Sequence, residues 1–381
     1  IITASAGTSN FRAGVNAGVS IESGGDKNTV VGDEAGTAIT TGDFNTALGF
    51  EAGHDITTGS ANTIIGGLAG DKLIDASYNV AIGSGAIGAD TKGSKSIAIG
   101  YNSLVTQNFT SSTDAFNVAV GFEAGKSITT GINNTLIGGL AGDALTDADN
   151  NVAVGKDALS ADTLGSRSVA IGKNALKVQN FTSATDTLNT AVGHDSGKAV
   201  TTGINNTLIG GLAGDAITTG AANTAVGSSA LSTATTADNN TAVGYNALNA
   251  NTTGVSNTAV GSLALDSNIE GSNSTAVGVS ALGVNTTGNN NTAMGSLALD
   301  ANTEGASNCG FGLHALGANT TASNNTAVGQ QAGKLVSTGA KNIFIGSLAG
   351  DKITTGDKNI FIGYDAGSST GPADTEDGNI I

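Results

Sequence analysis

Residues 240–254 read Asn-Thr-Ala-Val-Gly-Tyr-Asn-Ala-Leu-Asn-Ala-Asn-Thr-Thr-Gly, and the same grammar returns 17 residues later in 257–271. The unit is an Asn or Ser, three loosely apolar residues and a Gly. It occurs 20 times, with anchor glycines at 32, 49, 66, 83, 100, 121, 138, 155 and 172, then from 193 to 363 in steps of 17. Two steps are 21 residues, Gly100 to Gly121 and Gly172 to Gly193, and Gly14 marks an imperfect earlier copy. A fixed short period predicts a solenoid, in which each coil touches only its neighbours. About 20 coils rising roughly 4.8 Å each would form a rod of about 95 Å.

Number each coil from its anchor Gly as zero. Position −4 is Asn in 17 coils and Ser in three, Ser96, Ser168 and Ser274. Position −3 is Thr, Val or Ile apart from Cys309, position −2 is most often Ala, and position −1 is a large aliphatic or Phe311. This β-branched run before a Gly predicts a short strand ending in a bend. Side chains alternate across a strand, so −1 and −3 share one face and −2 takes the other. Both faces are apolar, whereas a half-solvated strand alternates with polar residues. Taking −1 and −3 as the coil interior leaves −2 outward, and the opposite assignment is also open. Either way the strand needs a cover outside its own coil, and the simplest cover is another copy.

Position +3 is Ala, or Ser in two coils, and position +4 divides the coils into two kinds. Where +4 is Gly, +7 is aliphatic, as in Gly214 with Ile217. Thr370 is the exception. Where +4 is Leu or Ile, +7 is never a large aliphatic, as in Leu248 with Asn251. The pattern predicts one interior cavity filled from either position, since interiors tolerate swaps that conserve volume. The coil with Cys309, Gly310 and Phe311 reads as the same compensation. Residues 49–120 and 121–192 are duplicated 72-residue blocks, each ending in a 21-residue coil.

Composition narrows the function. The 58 glycines do not fall every third residue and there is one proline, which excludes collagen. A net charge of −16 disfavours nucleic acid and anionic lipid as partners. No apolar run is long enough for membrane insertion. The start at Ile1 and the end at Ile381 in mid-pattern read as a piece of a longer polypeptide. The expected layout is one continuous β-solenoid over 1–381, with an irregular first coil at 1–20, regular coils at 21–367 and an irregular exit at 368–381.

Candidate sites are few. The Asn and Gly columns, for example Asn223, Asn240 and Asn257 with Gly227, Gly244 and Gly261, read as a structural ladder, because stacked Asn amides can bond along the stack. His54, His194 and His314 sit in different coils without a partner ligand. Asp71, Asp143, Asp215 and Asp351 share one column and could bind Ca²⁺, although calcium solenoids carry denser Gly-Gly-x-Gly-x-Asp runs. Paired threonines such as Thr252-Thr253 could form an ice-binding face, but neighbours in a strand point opposite ways. The long coils read Gln107-Asn-Phe-Thr-Ser-Ser-Thr-Asp114 and Gln179-Asn-Phe-Thr-Ser-Ala-Thr-Asp186. Their four extra residues must bulge, which makes Asn108, Phe109, Thr110, Asn180, Phe181 and Thr182 candidate receptor contacts, unless the Phe rings tuck back onto the rod. No catalytic, cofactor-binding or metal-binding residue is expected, and the chain reads as a non-enzyme without a cofactor.

At Asn-Thr-Ala-Val-Gly (223–227) and Ser-Ile-Ala-Ile-Gly (96–100) the chain resembles the head repeats of trimeric autotransporter adhesins and repeat-bearing shafts of bacteriophage tail fibres. The resemblance implies a parallel, left-handed β-roll assembled as a homotrimer. It also implies a structural and adhesive fibre, extracellular on a virion or bacterial surface, with a glycan or protein receptor. The 17-residue period is longer than is usual in those adhesins. An alternative is a filament-forming matrix protein without a receptor. A polysaccharide lyase on a β-helix would need longer coils and clustered groove charges. An ice- or calcium-binding solenoid is the least favoured alternative.

Overall fold

The computed structural model describes residues 6–367 together with Gly378 and Ile380. Most of the exit segment expected at 368–381, and Thr370 with it, lies outside the described residues. The chain divides into two compact units, 1–189 and 190–381. Each is a parallel β-solenoid. Ten three-residue strands from Phe11–Ala13 to Val169–Ile171 build the first, and eleven from Thr190–Val192 to Ile360–Ile362 build the second. Register follows the repeat: Thr241, Ala242 and Val243 pair with Thr258, Ala259 and Val260. Phe11–Ala13 pairs with Thr29–Val31, so regular stacking already begins inside the stretch expected to be irregular.

Sharp corners bound each strand. Position −5 is left-handed in every coil, as at Asn239 with φ 59°. The anchor is more extreme: Gly244 has φ +139°, and a Cβ there would stand 2.5 Å from the Gly261 carbonyl oxygen. An L side chain rarely adopts that backbone, and the stacked chain leaves no room for one. Positions +2 and +4 are left-handed too, with φ 52° at Asn246 and 51° at Leu248.

The coil interior is the face of position −2, which corrects the assignment of −1 and −3 to the interior. Ala242, Ala259, Leu208, Phe344 and Phe361 are all fully buried. Positions −3 and −1 face outward, with Leu48 46%, Ile97 37% and Val328 41% exposed. The interior is narrow enough for Ala to fill its share. Phe311 therefore points outward and does not compensate its small neighbour, while Gly310 lies inside, 3.5 Å from Leu299 through its would-be Cβ.

The cavity rule for +4 and +7 holds, and position −2 joins it. A Cβ on Gly214 would meet Leu208 Cδ2 at 2.7 Å and Ile217 Cδ1 at 2.8 Å, so three positions share one volume. The bulky −2 residues Val30, Ile64, Leu136, Leu208, Phe344 and Phe361 all occur in coils whose +4 is Gly. Leu231 and Ala234 are likewise both fully buried. Leu231→Gly is expected to cost about 2–4 kcal/mol, the cavity cost offset in part by relief of the left-handed φ at that position. Adding Ala234→Ile should recover at least half. Urea titration of both variants checks this, and a double variant no better than the single one would refute the shared cavity.

Polar ladders run along the stack beside the apolar interior. Each −4 Asn is buried, and Asn223 Nδ2 donates to the Ala237 carbonyl (2.8 Å) while its Oδ1 accepts the Asn240 backbone N–H (3.0 Å). The amide thus clamps the far side of its own coil and the start of the next. A second ladder fills +7 of the five Leu-type coils from Asn251 to Asn319. Asn268, Asn285, Asn302 and Asn319 each donate to the Asn one coil before, at 2.7–2.9 Å. The repeated Asn at +7 is its sequence signal.

Candidate functional site

The two long coils carry a buried polar network beneath their loops. Asp90 is fully buried. Its Oδ1 accepts the backbone N–H groups of Gly93 (2.9 Å) and Phe109 (3.1 Å), and its Oδ2 accepts Gln107 Nε2 (2.6 Å). Gln107 Oε1 in turn accepts Asn117 Nδ2 at 2.9 Å. Asp162, Gln179, Phe181 and Asn189 repeat the arrangement, with Gln179 Nε2 2.6 Å from Asp162 Oδ2. A buried carboxylate is tolerable only with its acceptor sites filled, and here backbone donors and a Gln amide fill them. The network seats the loop and presents no open face. Its sequence signal was an Asp–Gln pair in the +7 column of both duplicated blocks.

Phe109 and Phe181 are buried at 6% and 7% exposure, so neither ring is offered for stacking on a sugar. Phe109 lies against the backbone of Gly93, where a Cβ would stand 2.7 Å from the ring. This corrects their place among the candidate receptor contacts. Asn108, Thr110, Asn180 and Thr182 are exposed on the loop surface. Each loop also carries an exposed ion pair, Lys95 with Asp114 at 2.6 Å and Arg167 with Asp186 at 2.8 Å.

The other candidates disperse. Among the described residues no group of three or more His, Cys, Asp or Glu side chains could hold a metal ion. Each histidine has its own local partners. His54 Nδ1 is 2.6 Å from Asp55, His194 Nε2 is 3.6 Å from Asp195, and His314 lines a shallow depression with Asp300 and Lys334. The +8 threonines bond along the stack, as Thr252 Oγ1 donates to the Ile269 carbonyl at 3.0 Å, which engages the hydroxyls an ice-binding face would present. An open groove of about 310 Å³ lies between Asp266 and Asp300, lined by Leu263, Ser280, Val284 and Leu297.

The Asp column is electrostatically uncomfortable. Burial pushes the carboxyls of Asp71, Asp143 and Asp215 above the usual carboxylate range. In Asp143 and Asp215 one buried oxygen, Oδ1, has no hydrogen-bond partner. A raised folded-state pKa means that ionisation opposes folding. The penalty is present at neutral pH and is relieved as pH falls through the folded pKa. Asp143→Asn with Asp215→Asn should therefore raise the midpoint of thermal unfolding at pH 7 and lose that advantage near pH 4. An equal shift at both pH values would contradict the assignment.

No known family pattern matches the chain, and no curated protein matches it.

Proposed function

We propose that this chain is a structural and adhesive fibre segment without catalytic activity, displayed on a virion or cell surface and built from copies of itself. The proposed assembly is a parallel homotrimer of left-handed β-rolls, and the exposed loop residues Asn108, Thr110, Asn180 and Thr182 are its candidate contacts to a glycan or protein receptor. One observation carries the reading: position −1 of the outward face is a large apolar residue in coil after coil, beside a −3 column of Thr, Val, Ile and one Cys. In the first unit Ile97, Ile99, Ile137 and Ile171 are each 37–39% exposed along it. Soluble monomers rarely expose a contiguous apolar patch beyond a few hundred Å². Copies arranged about a common axis cover that face and leave the acidic corners in water, where a net charge of −16 keeps assemblies apart.

The test is mass in solution by light scattering, for the wild type and for Val243→Asp with Val260→Asp. Both valines face outward, so the variant can keep its coil. Ala242 and Ala259 are unsuitable because they lie in the interior. The expected result is three times 36.8 kDa for the wild type and a smaller, folded species for the variant. A wild type that stays at 36.8 kDa removes the reading.

A further inference from the structure

The outward face has two edges, position −5 on one side and position +1 on the other. Several coils match them. Lys27 and Asp33 carry opposite charge, Phe44 and Phe50 are both aromatic, Ala61 and Gly67 are both small, and Phe116 and Phe122 are again both aromatic. Within one chain these partners stand at opposite ends of an extended segment. Their side chains stack along the columns instead, with Lys27 over the Phe44 ring at 4.5 Å, Lys95 over Phe116 at 5.2 Å, and Tyr101 on Phe122 at 5.4 Å. Phe44 and Phe116 are 56% and 51% exposed, and both hold left-handed backbone that disfavours bulky residues. Nothing in their own coil accounts for that choice.

The +1 column contains the second observation. Gly67, Gly139 and Gly211 have no left-handed φ. A Cβ on Gly139 or Gly211 would meet nothing within 4 Å, and one on Gly67 only the Phe50 carbonyl at 4.0 Å. Other coils place Phe50, Tyr101, Lys156 or Gln330 at the same position. The chain's own fold thus does not require glycine there, although a close approach from outside would.

We propose that a second copy of this chain docks in parallel and in register along this seam. The −5 edge of one copy closes on the +1 edge of the next, and in the first unit Gly67 and Gly139 are the points of closest approach. A rotation about the stacking axis leaves every residue at its own height and brings −5 beside +1 of the same coil. A twofold axis across the stack would set like edges together and leave the matched pairs unused. Lys27 then meets Asp33 of the neighbouring copy, and the aromatic pairs close the two coils at Gly49 and Gly121. In the first unit alone the face measures roughly 48 Å by 20 Å, about 950 Å², from ten coils and six strand steps. Stable interfaces bury about 800 Å² per partner.

This inference rests on the self-assembly reading, and its test separates the two. The full chain is compared with Gly67→Gln plus Gly139→Gln by sedimentation across a concentration series, with circular dichroism reporting the fold. The variant should keep its β-sheet spectrum while the concentration for half-assembly rises at least tenfold. A variant that assembles like the wild type overturns the seam and leaves self-assembly standing. A wild type that remains a single chain overturns both. A second pair, Lys27→Asp and Asp33→Lys, should each weaken assembly alone and restore it together. Failure of the double variant to recover overturns the in-register pairing.

Discussion

Gly244→Ala is expected to destabilise the chain severely, as a methyl group on any anchor glycine should. The backbone at Gly244 has φ +139°, and the new Cβ would stand 2.5 Å from the Gly261 oxygen and 2.6 Å from its carbonyl carbon. Neither neighbour is a flexible side chain that can swing away. Backbone strain and overpacking each cost about 1–3 kcal/mol, so together they should remove about 2–6 kcal/mol. Because coils interact only with neighbours, the damage should open a local protease-sensitive site before the rest of the stack unfolds. Gly317→Ala is the control, without a left-handed φ and with its nearest neighbours, Asp300 Oδ1 and the His314 carbonyl oxygen, no closer than 3.3 Å to the new Cβ. It should cost far less, since a Cβ there needs only a small adjustment and also restricts the unfolded chain. Limited proteolysis and urea unfolding of the two variants decide the matter, and equal effects would contradict the stacking argument.

Asn223→Ala is the second large effect. It strips the Ala237 carbonyl of the Asn223 amide and the Asn240 backbone N–H of its acceptor, both buried. Each orphaned group costs about 1–3 kcal/mol, so a loss of about 2–6 kcal/mol is expected. Asn223→Ser should be milder. Ser274 shows why: its hydroxyl accepts the Asn291 N–H at 3.2 Å, which keeps one of the bonds that an Asn makes there. Thermal unfolding should therefore rank wild type, Ser and Ala in falling order. A Ser variant no better than Ala would mean that the clamp on the coil's far side dominates.

The stack, its register and the exchange between +4 and +7 were legible because they depend on period and side-chain volume. The direction in which the strand faces was not. Both faces are apolar, and the larger residues at −1 and −3 suggested an interior. A clue lay in Thr, which occupies −3 in many coils but never −2; the more polar column is the outward one. A narrow coil takes Ala242 inside and leaves Val243 out, so size was a poor guide. The loop aromatics Phe109 and Phe181 misled for a related reason. Their polar neighbours suggested exposure, but burial depended on Asp90 and Asp162, which lie far enough back in the chain to belong to the preceding coil.

The proposal that copies of the chain cover the outward sheet face is tested most directly at the chain's single cysteine. Cys309 lies at position −3 beside Phe311, half-buried, with its thiol pushed up by burial. Parallel copies about one axis place their Cys309 residues at a common height on facing surfaces. A short bis-maleimide added to the assembled protein should therefore couple Cys309 of one copy to Cys309 of another, giving a band of two chains on a denaturing gel. Assemblies that yield only single chains, with Cys309 freely capped by a bulky maleimide, would contradict it.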